Sequence, residues 1–124
     1  MSTIELVAGE VRASCVRAGE QVVVSFLGTA DAQVDAQLEG FLGQVHAMIE
    51  REPVAEVIAD LRHLEFMNSS CFKAFVTWLV AVRRLPRASQ YRIRFRASER
   101  HHWQKRSLHA LSYFGGDLIT IEAG

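Results

Sequence analysis

The sequence predicts an α/β fold: a mixed β-sheet with helices packed on it, in which an N-terminal hairpin precedes alternating helices and strands. Three observations predict it. Val57, Ile58, Ala59 and Leu61 form a compact apolar run of the kind a buried strand carries. Val34, Leu38, Phe41, Leu42, Val45, Met48 and Ile49 repeat at three and four, with Asp35, Gln37, Glu39 and Glu50 between them, which is an amphipathic helix. Tyr91, Ile93 and Phe95 alternate with Arg92, Arg94 and Arg96, the period of a half-buried strand.

Taken in order, Ile4 to Val7 reads as a short edge strand. Glu10 to Gly19 alternates loosely and Gln21 to Leu27 is Val-rich, with Ala18-Gly19-Glu20 as the turn between them, so the two form an antiparallel hairpin. A helix over residues 33–51 follows, capped by Thr29 or Asp31 and barred from continuing by Pro53. Val54 to Leu61 is the central strand. His63 then falls in a loop leading to a polar joint, Asn68-Ser69-Ser70. Phe72, Phe75, Val76, Leu79 and Val82 place a well-covered helix over residues 69–85, ahead of Pro86. Ser98-Glu99 opens a third helix over residues 98–114 carrying Trp103, Leu108, Leu111 and Phe114. Gly115-Gly116 ends it, and Leu118 to Ile121 forms the last strand. The alternation of strand and helix after a hairpin is the pattern of a single domain spanning residues 1–124.

At 124 residues with 49% hydrophobic content, the chain is long enough to bury a substantial core. No apolar run approaches the roughly 20 residues that span a bilayer, and MSTIELVAGE lacks the basic start of a secretory signal. Cys15 and Cys71 have no CxxC spacing and read as free thiols, consistent with a cytoplasmic protein. Net charge is zero but divided: residues 1–68 carry 4 basic and 11 acidic side chains, residues 69–124 carry 10 and 3. The arginines of the second half are expected on solvated surfaces, partly paired with the acidic half. A sequence pI near 7.0 argues against a nucleic-acid-binding domain, which stands as the third functional reading.

The chemistry points to the polar joint. Asn and Ser accept hydrogen bonds from the free N–H groups of a helix start, and the partial positive charge there favours an anion. Ser69 reads as a capping hydroxyl or a modifiable one, and Ser70 as structural support for the cap. Cys71 beside the helix start reads as buried and inert, against the alternative of an activated thiol. Trp78 and Trp103 read as core aromatics. The five histidines build no metal site: His101 and His102 are adjacent, His109 lies seven residues on, and His46 and His63 lie elsewhere. Only His63 offers a base near Ser69, with no acid to orient it, and no glycine-rich phosphate loop is present. The expectation is a non-enzyme without cofactor or metal.

The stretch DLRHLEFMNSSCFKAFVTWL resembles the signature of the STAS family, the anti-sigma-factor antagonists, in which a strand leads through Phe-Met-Asp-Ser-Ser-Gly into a helix. Asp60 and Leu61 match the strand end, Phe66 and Met67 the turn, and Ser69 the serine that a partner kinase phosphorylates. Leu27-Gly28-Thr29-Ala30-Asp31 resembles the family's Leu-Thr-Gly-Glu-Leu-Asp segment, which makes Asp31 the acidic residue lining the same site. Asn68 stands where Asp is usual and Cys71 where Gly is usual; related phosphoproteins also carry Asn there, and Phe72-Lys73-Ala74 echoes them. The resemblance implies a STAS-like fold and a regulatory domain that binds a serine kinase or anti-sigma-factor-like protein through Asp31, Asn68, Ser69 and Ser70. A STAS-like module sensing a small anion or metabolite at the same helix start is the alternative. The family usually adds a helix after the last strand, so here an apolar face is expected to need a partner, a second copy included.

Overall fold

The computed structural model describes residues 2–123. A six-stranded sheet runs in the order β1 (Ser2–Ala8), β2 (Val11–Ala18), β3 (Gln21–Ala30), β4 (Glu56–Met67), β5 (Arg92–Ala97), β6 (Ile119–Ala123). The first three strands pair antiparallel and the last four parallel. The helices α1 (Asp35–Arg51), α2 (Ser69–Arg83) and α3 (His102–Gly115) are the crossovers between consecutive parallel strands. Because the strands advance in one direction and such crossovers are right-handed, all three helices are placed on one face of the sheet. The expected mixed sheet, edge strand and hairpin are all present.

That face holds the core. Val24, Phe26, Val57, Ala59, Leu61, Ile93 and Phe95 look up from the sheet, and Leu38, Leu42, Phe75 and Leu79 close over them. Phe26 ties the layers together, with its ring 6.0 Å from Phe41 and 5.3 Å from Phe75, which in turn lies 6.3 Å from Phe95. Each such side chain stabilises the fold by about 1.5–3 kcal/mol. Trp78 is core as expected, and its Nε1 donates to the Tyr91 hydroxyl at 2.8 Å, leaving the Tyr91 proton for Nδ1 of His46 at 2.7 Å. Along α2 the coverage is less complete than expected, since Val80 is 40% exposed.

Among the described residues, the opposite face carries no helix. Register aligns Ser25, Asp60, Arg96 and Glu122 across it, beside Val23, Ile58, Arg94 and Thr120. Arg94 pairs with Glu56 at 2.8 Å and reaches Glu122, as does Arg96. Pairing between the acidic and basic halves is thus confined, among the described residues, to Arg94 with Glu56. The other pairs form within each half, and those of Arg94 and Arg96 with Glu122 follow from β6 lying beside β5.

Three boundaries differ from the sequence reading by more than two residues, each for a local reason. β3 continues past Leu27 to Ala30 through a bulge at Gly28, whose φ of +93° suits glycine. β4 runs six residues beyond Leu61, so His63 lies in a strand, not a loop. Past Asp60 it pairs with β3 alone, Leu27 with His63 and Ala30 with Met67. The register shifts there bury Leu61, Leu64 and Met67, a spacing of three that conceals a strand from an alternation test. α3 begins at His102, because Ser98–His101 is a turn: the Ser98 amide donates to Gln104 Oε1 at 2.8 Å and the Arg100 amide to Ser98 Oγ at 3.2 Å.

Candidate functional site

The extension of β4 delivers the chain to the α2 N-terminus, where Asn68 adopts an extended conformation and caps the helix. Its Oδ1 accepts from the Ser70 amide at 2.9 Å and from the Ser70 hydroxyl at 3.0 Å. Its carbonyl accepts from the amides of Cys71 and Phe72. The sequence reading offered Ser69 as a cap; Asn68 takes that duty. Ser69 is the first residue of α2, exposed, and its hydroxyl engages no protein group among the described residues. Ser70 supports the cap, as expected.

Two hydrogen bonds fasten the end of β3 to this helix start. The Asn68 amide donates to the Ala30 carbonyl at 2.8 Å, and the Cys71 thiol donates to the Asp31 carbonyl at 3.1 Å. Asp31 itself caps a 3₁₀ turn at Ala32–Val34, accepting from the Gln33 amide at 2.9 Å, before α1 begins. Asp31, Asn68, Ser69 and Ser70 therefore lie together, although 37 positions separate the first two in sequence. Phe66 and Leu27, each 47% exposed, stand on the strands leading into this surface.

The electrostatics are divided. Free amides at a helix start favour negative charge. Burial first, then the nearby Asp35 and Asp31 carboxylates, push the Cys71 thiol above its ordinary range. The thiol is wholly buried and protonated, so the helix start does not activate it. Lys73 is exposed four residues after Ser69, on the same helix face, where a cation meets an anion at position 69. The spacing was visible in the sequence; its meaning depended on Ser69 opening the helix.

No group of three or more His, Cys, Asp or Glu side chains is arranged to hold a metal among the described residues. No helix among them is long and apolar enough to cross a membrane. His63, the base considered for Ser69, lines a different cleft with Arg62 and Arg100.

Gln104 escaped the sequence reading. It is fully buried and its Nε2 donates to the carbonyls of Leu61 and Leu64, so α3 clamps the β4 extension from the helical face of the sheet. Trp103 adds a bond from Nε1 to the Glu65 carbonyl at 2.7 Å. The available signal was a polar residue on the apolar stripe, four positions before Leu108.

No protein-family model and no curated protein matches the sequence. Solved structures do match. An anti-sigma factor antagonist from Mycobacterium paratuberculosis superposes with a TM-score of 0.62 at 18% identity, over 98% of this chain and 86% of that one. The anti-sigma factor antagonist SpoIIAA in its unphosphorylated form superposes with a TM-score of 0.55, also at 18% identity, over 97% and 87%. With the sheet order and the three crossover helices, these superpositions show that the chain has the STAS-like fold of the anti-sigma factor antagonists.

Proposed function

We propose that residues 1–124 act as one cytoplasmic regulatory domain, not an enzyme, that binds a serine kinase or anti-sigma-factor-like partner and is switched by phosphorylation of Ser69. The observation that carries the reading is the division of labour at the α2 start. Asn68 and Ser70 hold the cap, so the exposed Ser69 hydroxyl is free for modification without loss of a structural bond. The likeness of the fold to anti-sigma factor antagonists supports it.

In this mechanism the unmodified surface of Asp31, Asn68, Ser69 and Ser70, with Phe66 as an apolar anchor, docks the partner. The kinase transfers the γ-phosphoryl of ATP to Ser69 Oγ, releasing ADP, and the hydroxyl proton passes to solvent. The new group adds about −1.5 to −2 charges at neutral pH. The helix start and Lys73 hold it without unfolding the domain, while Asp31 and Asp35 add to the negative field it creates. Inside a docked interface, like-charge juxtaposition costs several kcal/mol, enough to release the partner.

The test is a kinase pulled down from the native cell. Ser69→Ala should abolish phosphorylation and leave binding largely intact, and Ser69→Asp should weaken binding at least about tenfold. A kinase that modifies Ser69→Ala as well as the parent, or an undiminished Ser69→Asp complex, defeats the assignment.

A further inference from the structure

Away from Ser69, a groove of about 1020 Å³ lies between α3 and the edge strand β6. Its floor is apolar, formed by Ala97, Leu108, Ile121 and Ala123, with Ile121 45% exposed. Its rim is basic, formed by His101, His102, Lys105, Arg106 and His109, against the single acid Glu99. At the turn Ser98–His101 it adjoins the cleft of Arg62, His63 and Arg100, so four of the five histidines of the chain line one surface. Lys105, Arg106 and Arg100 have no acidic partner among the described residues, whereas Arg94 and Arg96 are paired on the opposite face of the sheet.

We infer that this groove is a second docking surface, separate from Ser69, that takes an acidic amphipathic helix of a partner protein. Two features select that occupant. An apolar floor with exposed Ile121 rewards apolar anchors at helical spacing, which a nucleic acid does not offer. A rim carrying Lys105 and Arg106, with Arg100 beside it and one acid, favours Asp and Glu beside those anchors, and complementary charge sets both encounter rate and partner choice. The surface lies on α3 and β6, whereas Asp31 and Asn68 follow β3 and β4, and it stands whether or not Ser69 is phosphorylated.

The probe is a fluorescently labelled peptide with Leu at i, i+4, i+7 and i+11 and Glu elsewhere, titrated with the full chain by anisotropy. The acidic peptide should bind. The double substitution Lys105→Glu with Arg106→Glu, and separately Ile121→Asp, should each weaken binding about tenfold, from loss of rim pairs and of an apolar anchor respectively. All three positions are exposed, so circular dichroism should be unchanged, and Ser69→Asp should bind the peptide as the parent does. Any of four results overturns the inference: no saturation by about 1 mM peptide; equal binding of the same peptide with Lys in place of Glu; a single-stranded oligonucleotide that binds more tightly and loses its site in the Lys105/Arg106 variant; or self-association in sedimentation that Ile121→Asp abolishes, which would make a second copy the occupant.

Discussion

Replacing Gln104 with Leu isolates the hydrogen bonds by which α3 holds the β4 extension, and with it the approach to Ser69. The side chain is 0% exposed, donates to the Leu61 and Leu64 carbonyls and accepts from the Ser98 amide. Leu fills nearly the same volume, so packing loss is small. The Ser98 amide is only half-buried and can turn to water. The two carbonyls under α3 cannot, and each buried polar group left unpaired costs about 1–3 kcal/mol. Allowing for the added apolar burial of Leu, the net loss should be about 2–4 kcal/mol. Urea denaturation followed by tryptophan fluorescence reads it directly: with m of about 1–3 kcal/mol per molar, the midpoint should fall by roughly 1–2 M with m unchanged. Trp103→Phe removes only the bond to the Glu65 carbonyl at the exposed margin and should cost under about 1 kcal/mol by the same measurement. A midpoint shift below roughly 0.3 M for Gln104→Leu, or a larger one for Trp103→Phe, would show that the carbonyls find water and that α3 is not the clamp.

Gly28→Ala should destabilise the fold by about 2–4 kcal/mol, because an L residue at φ +93° is strained and its Cβ would lie 2.0 Å from the Glu10 carbonyl oxygen; thermal unfolding checks it. Arg62→Met tests the ion pair on the open face, where two guanidinium nitrogens meet the Asp60 carboxylate at 2.8 and 2.9 Å. Those hydrogen bonds hold the Asp60 carboxyl below its ordinary range, so their stabilisation is full at neutral pH and is lost as pH falls through the depressed folded-state value. Denaturation at several pH values should show Arg62→Met less stable than the parent at pH 7, the gap closing below about pH 4. Both cysteines are fully buried, and burial pushes Cys15 to about 11 and raises Cys71. A thiol reagent should therefore label neither at neutral pH until the protein unfolds, and rapid native-state labelling of Cys71 would contradict the inert assignment.

Elements whose burial follows a regular period were legible in the chain. α1 repeats at three and four because one face meets the sheet, and β5 alternates because helices cover one side of it and solvent the other. The polar residues of the α2 start announced a helix N-terminus, and the Phe66-to-Ala74 motif announced the STAS-like fold. The length of β4 was hidden, since beyond Asp60 it loses β5 as a neighbour and bulges against β3, so its buried residues fall out of step with a strand's period of two. The start of α3 was hidden because Ser98 is held by Gln104 in a turn that mimics a cap. Which of Asn68, Ser69 and Ser70 caps α2 rests on side-chain geometry that three adjacent polar residues share equally in one dimension. Asp31 joins them only because two hydrogen bonds, Asn68 to Ala30 and Cys71 to Asp31, close across parallel strands. A linear pattern records how one segment meets its own surroundings; the meeting of distant segments depends on register, and register is a property of the folded sheet.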